Sequence, residues 1–397
     1  MAVTINASTT AGLVQTADTS GILALQTAGT TAVSISASQA VTLTNALAEA
    51  SGGTGTTVGY NGLKNRIING AMTIWQKATS VTGSTGYNSI DRYDINGSTC
   101  TLNVAQSTDV PSTAGFVSST GITVGTASSA SGAYAYLLQM IEGYNWADMR
   151  YGTSAAQTST LSFWVKSSIA GTYGISFRNT GSARFYTTTY TISSANTWEY
   201  KTITITGDTS GTWLTTNGIG FQVIFDLGVG TTYSSTSNNA WSTVGSNYFG
   251  VTGVTKLGAT AGATFYLTGV QLEKGSTATS FDYRPYGTEL ALCQRYYYLS
   301  NPGNTQKNGG AWGSMSAATT AHITGPLPVP MRAAPTYTFG GTSNTYYISN
   351  VNATSAGTPV NTSASPLIVD FELSGMSSAG VGYPVQYNGQ LSITAEL

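Results

Sequence analysis

Ile219–Leu227 reads IGFQVIFDL. Ile219, Phe221, Val223, Phe225 and Leu227 occupy every second position. A period of two marks a strand with one buried face, because successive side chains leave the backbone on opposite sides. Working outward, the same alternation links Leu161, Phe163 and Val165, then Tyr173, Ile175 and Phe177. Tyr134, Tyr136, Leu138 and Met140 also share a face, and the pattern assigns that face to the interior. In Phe265–Leu272, FYLTGVQL, the phase slips by one at Gly269, as a β-bulge requires. Gly, Ser and Asn turns separate these segments. Many short alternating strands without a long helical period predict an antiparallel sandwich. At ~220 residues, 63–286 fits a jelly roll better than an immunoglobulin-like domain of about 100 residues.

The seam of the chain is Gly269–Ser300, GVQLEKGSTATSFDYRPYGTELALCQRYYYLS. A strand closes the first domain, Pro-Tyr-Gly breaks it, and Thr288–Gln294 can form about two helical turns. Strands then resume. Leu367, Val369, Phe371 and Leu373 alternate, as do Leu391, Ile393, Ala395 and Leu397 after the hairpin signal Asn388-Gly389. Pro326, Pro328 and Pro330 cannot donate ladder hydrogen bonds, so that stretch is an edge or a loop. Residues 287–397 therefore read as a smaller β domain, a C-terminal β-sandwich tip.

Residues 1–62 are nearly uncharged and repeat short triplets, Leu23–Leu25, Val33–Ile35 and Val41–Leu43. Strands this short are marginal alone. Two readings stand: a disordered leader, or a shaft in which several copies complete one another. Ala46–Thr57, ALAEASGGTGTT, ends the segment in a flexible joint. The expected architecture is all-β: an N-terminal short-strand shaft or anchor, a jelly roll, and a tip.

Charged residues are only 8% of the 397, against roughly 25% in an average globular protein. With 41% hydrophobic residues and 24 Tyr, the chain can still build cores. A net charge of −1 argues against nucleic acid, whose binders carry a basic face. No apolar run reaches the ~18 residues of a membrane span, and MAVTINASTT lacks the features of a secretory signal. Cys100 and Cys293 fit no metal or redox motif and are expected as buried free thiols. No cofactor motif appears.

Asn65–Gln76, NRIINGAMTIWQ, followed by Ser89–Tyr93, SIDRY, resembles the opening of carbohydrate-binding-module-like jelly rolls in bacteriophage tail fibres. Gly269–Gly287 resembles their closing strand. Cys293–Tyr298, CQRYYY, with Pro328–Thr336, PVPMRAAPT, and the terminal AEL, resembles the distal domain often attached to them. Thr16–Ile35 resembles virion-anchoring leaders. The resemblance implies a homotrimeric fibre on the virion, made in the host cytoplasm. Its N-terminus would meet other tail or virion proteins, and its tip a bacterial surface glycan or receptor.

Exposed aromatics suit such a ligand, because a sugar ring offers an apolar C–H face to an indole or phenol. Tyr144 and Trp146 follow a strand, Trp213 follows a turn, and Trp241 sits in an Asn/Ser-rich run. Trp312, Tyr346 and Tyr347 offer the same chemistry in the tip. Loops carry function disproportionately, which favours Trp146, Trp241, Trp312 and Tyr346.

Catalysis has thinner support, and the expectation is a non-enzymatic chain. His322 is the single histidine. Glu142 and Asp148 are the one acid pair beside aromatics, as a polysaccharide-cleaving tailspike would need. A capsid-surface fibre or architectural spacer is a further alternative. Asp282 with Glu273, or Asp91 with Asp94, could join a structural calcium site, although no calcium loop pattern is present.

Overall fold

The computed structural model describes residues 22–27, 30–38, 41–43, 63–236, 239–243, 248–300, 312–340, 345–348, 353–356, 358–362, 365–375, 383–387 and 390–397. The Ala46–Thr57 joint and the Asn388-Gly389 turn lie outside them. The chain forms two compact units, Met1–Asn61 and Gly62–Leu397.

In the first unit, Leu23–Thr27 (β1), Thr30–Ile35 (β2) and Val41–Leu43 (β3) make an antiparallel sheet. The three aliphatic triplets pair with one another within a single chain, Leu23 against Ile35 and Val33 against Leu43.

The second unit is nearly all β. One sheet of its large sandwich runs Glu199–Ile205 (β13), Ser159–Ser167 (β10), Thr264–Lys274 (β18), Ser119–Val124 (β8), Leu102–Ser107 (β7) and Ser80–Val81 (β4). The facing sheet runs Trp241–Ser242 (β16), Phe185–Ile192 (β12), Gly171–Arg178 (β11), Ile219–Asp226 (β14), Tyr134–Glu142 (β9), Asp94–Ser98 (β6) and Thr85–Gly86 (β5). Ser234–Ser235 (β15) and Gly250–Val251 (β17) pair in parallel beside it. Phe221, Val223, Phe225 and Leu227 of IGFQVIFDL meet the alternating residues of β10, β11 and β18 in one core, with Ile219 half-buried at its end. The bulge falls where expected: register slips between Ser162 and Trp164, and Gly269 has φ +62°. Cys100 and Cys293 are buried and unpaired.

Tyr286–Gln294 (α1) starts two residues earlier than predicted. The distal sandwich has two sheets. One holds Tyr297–Ser300 (β19), Gln390–Thr394 (β28) and Thr336–Gly340 (β22). The other holds Ala353–Ala356 (β24), Thr345–Ile348 (β23), Pro384–Tyr387 (β27), Trp312–Ala317 (β20), Thr320–Pro326 (β21), Ile368–Ser374 (β26) and Thr358–Thr362 (β25). Met315, Ile323, Phe371, Val385, Leu391 and Ile393 fill the space between them.

Charge is sparse in this chain, and much of it is spent where the two sandwiches meet. Glu396 accepts from Lys77 Nζ at 2.6 Å and from Arg92. The Arg92 guanidinium lies 3.5 Å from the Tyr296 ring centroid, so the cation is also stacked. Glu142 takes both forks of Arg295, at 2.6 and 2.9 Å, and the Tyr296 hydroxyl at 2.7 Å. Arg332 donates to the carbonyls of Ala395, Glu396 and Asn217 at 2.7–2.8 Å. Around these bonds Ile68, Ile74, Cys293 and Tyr296 form a small apolar cluster with Leu290 and Leu397. Just before α1, Arg284 bonds the backbone of Ile67 and Asn65 and reaches Glu289 at 3.2 Å, fixing the chain after it leaves β18.

Asp91 lies beside this junction. Burial pushes its pKa up to about 7 from 3.8, against the opposing hydrogen bond from Gln76 and the charge of Lys77. A folded state that binds the proton more tightly gains stability below pH 4, and loses that gain as pH rises through about 7. At about 1.4 kcal/mol per pKa unit, the effect is a few kcal/mol. Glu396 works oppositely: burial resists its charge, but Arg92 and Lys77 win and lower its pKa, so its contribution disappears only in acid. Urea midpoints should therefore fall between pH 5 and 8 in the wild-type chain, and fall much less in Asp91→Asn. Equal slopes would remove Asp91 as the source.

Candidate functional site

β9 reads YAYLLQMIE and is apolar on both faces. Ala135, Leu137 and Ile141 enter the core. Tyr134, Tyr136, Leu138 and Met140 share the opposite face, so the sequence grouped them correctly but assigned them to the wrong side. They floor a cleft of about 290 Å³ on the outer face of the seven-stranded sheet. Ile224 of β14, Arg178 of β11 and Asp94 of β6 complete the floor.

Tyr233 and Phe249 overhang it from the segment between β14 and β18. Their rings stack at 5.1 Å, and Phe249 stands edge-on to Tyr134 and Tyr136 at 5.6 and 5.5 Å. Tyr134 and Tyr136 stack at 5.6 Å along the strand. Asp226 anchors the overhang. It accepts from the backbone N–H of Gly228, Val229 and Val251 at 2.7–2.9 Å and pairs with Lys256 at 3.0 Å.

Two ionisable groups face this cleft with polar atoms unused. Arg178 donates from Nη2 to Gln222 at 3.1 Å, but its Nε and Nη1 have no partner. Burial lowers its pKa to about 10, and its guanidinium lies 5.7 Å from the Phe249 centroid. Asp94 Oδ1 likewise has no partner, and burial raises its pKa to about 6, reinforced by Glu396. Each unsatisfied group costs about 1–3 kcal/mol. A ligand rich in hydroxyls can accept from Arg178, donate to Asp94 and stack on the tyrosines.

The sequence candidates lie elsewhere. Trp146, nominated as an exposed platform, is 2% exposed and stacks on Phe221 at 4.0 Å. Trp213 is also buried, 4.8 Å from Tyr151, with its Nε1 donating to Ser210 O at 3.0 Å. Trp241 is half-buried, 5.2 Å from Trp213, and its Nε1 donates to Thr206 O at 2.7 Å. These three indoles join through Tyr151 and Phe221 in one aromatic cluster of the core. Tyr144 is exposed on a short 3-10 turn, Gly143–Asn145. Trp312 is 58% exposed on β20. Tyr346 and Tyr347 lie on β23, where Tyr347 and Trp312 both register against Gln386; their side chains fall outside the described residues.

Apart from Asp94, the nominated acids are committed to structural bonds. Glu142 is held by Arg295 and Tyr296, while Asp148 pairs with Arg66 at 2.8 Å. His322 Nε2 lies 2.6 Å from Asp370 Oδ1 on the neighbouring strand. Glu273 accepts from Gln271 and from the N–H and hydroxyl of Thr279, and Asp282 lies 3.4 Å from Arg284. Asp91 accepts from Gln76. Among the described residues, no three His, Cys, Asp or Glu side chains gather as metal ligands. No helix there is long and apolar enough to cross a membrane.

Tyr134, Tyr136, Tyr233, Phe249 and Arg178 were not singled out as site residues from sequence. The available signal was β9 itself, which is apolar in both phases where one buried face needs only one.

No family model matches the chain, and no curated protein matches it. Solved structures that align with part of the chain include the enzymatically active domain of bacteriophage CBA120 tailspike protein 4, at 15% identity and TM-score 0.30, over 53% of this chain and 21% of that one. A family 4 carbohydrate-binding module aligns at 14% identity and TM-score 0.27, over 52% of this chain and 98% of the module. A putative sugar-binding protein from Bacteroides thetaiotaomicron aligns at 13% identity and TM-score 0.26, over 53% and 100%. The sheets themselves establish the chain as an antiparallel β-sandwich protein. The likenesses are low in identity and TM-score.

Proposed function

We propose that this chain is a non-enzymatic glycan-binding subunit of a phage virion fibre, with the Tyr134–Tyr136 cleft as its sugar site. The observation that carries the sugar reading is the cleft: four aromatic rings beside an arginine and an aspartate with unused polar atoms. Aromatic faces supply apolar contact, and the two charged groups supply orientation. The fibre setting rests on the resemblance of the sequence to tail-fibre proteins. A homotrimer attached through its N-terminal segment would multiply weak contacts by avidity.

The test is a glycan array probed with the full chain, followed by titration of the best ligand. Tyr136→Ala should weaken binding about tenfold, because losing one aromatic contact costs ~1.5 kcal/mol. Arg178→Gln should do at least as much, since hydrogen bonds from a charged group are worth about 1.5–3 kcal/mol. Wild-type affinity in both variants would remove the cleft from the account. Light scattering should give a mass near three times 41.0 kDa, and a stable monomer would end the trimeric fibre reading.

A further inference from the structure

The six-stranded sheet has its own opening on its outer face, away from the cleft. Trp164 of β10 and Tyr200 of β13 are cross-strand partners whose rings lie 5.4 Å apart. The opposite wall comes from the segment after β18, where Phe281 and Tyr283 meet at 4.9 Å and Phe116 packs 5.0 Å from Phe281. The groove between the walls has a volume of about 470 Å³. Tyr200 and Tyr283 are 44% and 55% exposed, so both walls present ring surface to solvent.

Two backbone features build this groove. The first is Gly269 at the bulge. A Cβ there would lie 2.5 Å from the Phe116 ring and 3.1 Å from Trp164, at a positive φ that favours glycine. Its absence lets both walls close on the floor. The second is a buried pair, Gln271 and Glu273, that fixes the far wall. Glu273 accepts from the Thr279 N–H and hydroxyl at 2.9 and 2.7 Å. Gln271 donates to Ser280 O at 3.1 Å and accepts from the Asp282 N–H at 2.8 Å. The walls are therefore preorganised, which lowers the ordering cost of binding.

We infer that this groove is a second binding site, for the ring of a neutral sugar, on the face opposite the cleft. Among the described residues no carboxylate or cation lines it, so an ionic ligand would lose its hydration without a counter-charge. The hydroxyls of Ser162 and Ser280 border the aromatic plates, and the Thr279 hydroxyl, whose proton goes to Glu273, can still accept. β10 and β18 are hydrogen-bonded on both sides, so the floor offers a peptide no free edge to extend. Sites on opposite faces would let one subunit bridge two saccharide chains.

The test uses the full chain labelled with 5-fluorotryptophan, whose seven indoles report separately. Trp164→Phe assigns the Trp164 fluorine resonance. The probe is a mixture of the methyl glycosides of glucose, galactose, mannose, N-acetylglucosamine and rhamnose. The Trp164 resonance should move in the wild-type chain and equally in Tyr136→Ala, and by less than half as much in Tyr200→Ala. A Trp164 resonance that stays still with this mixture overturns the inference, while a glycan titration sensitive to Tyr136→Ala would leave the cleft reading standing. A smaller assembly mass in Tyr200→Ala would make the groove a contact between subunits, and would also overturn it.

Discussion

Glu142→Ala is expected to destabilise the chain by about 3–5 kcal/mol, the usual cost of removing one partner from a buried charge pair. Glu142 is 1% exposed and accepts two bonds from Arg295 and one from the Tyr296 hydroxyl. Without it, a guanidinium and a fully buried phenol lose their partner where the two sandwiches meet. In a unit of this size, Gly62–Leu397, the melting temperature should fall by roughly 4–7 °C, at about 1.4 °C per kcal/mol. Glu142→Gln keeps the shape and an acceptor, so it should cost less. Scanning calorimetry on both variants checks the order. A catalytic Glu142 would behave differently: its amide would abolish polysaccharide cleavage and leave the melting temperature nearly unchanged. On our account the wild-type chain releases no reducing ends in the same assay.

Trp146→Ala carries the second large effect, about 3–5 kcal/mol, as expected for an aromatic residue deleted from a core. The indole sits between Phe221 at 4.0 Å and Tyr151 at 5.1 Å, and those two rings also support Trp213 and Trp241. The cavity left behind lies in this aromatic cluster rather than in the cleft. Glycan affinity per folded molecule should stay within about twofold, while denaturant midpoints drop sharply. An exposed sugar platform at Trp146 would give the reverse, with affinity lost and stability kept. Trp312→Ala is the control: on an exposed strand position it should change stability by less than about 0.5 kcal/mol.

The period of two was enough to read the sandwich, since Phe221, Val223 and Phe225 face the core as IGFQVIFDL required. The Gly269 bulge was legible for the same reason: a phase slip has few other physical causes. The functional face was not. Alternation shows which residues of β9 share a side, but not which side meets the opposing sheet. That depends on strand neighbours brought together by the fold. Trp146 misled because the polar stretch GYNWAD reads as a loop, whereas two successive 3-10 turns rotate the indole inward. The Glu142–Arg295 pair spans 153 positions, beyond any local pattern. With so few charges in the chain, each buried one was a sign of a specific partner, and the sequence could supply the residues but not the pairing.

The proposed sugar site lies over Tyr136, between Arg178 and Asp94. A crystal structure of the full chain with its best array ligand measures this directly. A pyranose ring is expected to stack on Tyr134 or Tyr136, with hydroxyls within hydrogen-bond distance of Arg178 Nε or Nη1 and of Asp94 Oδ1. An empty cleft in a crystal that holds the ligand elsewhere on the chain would contradict it.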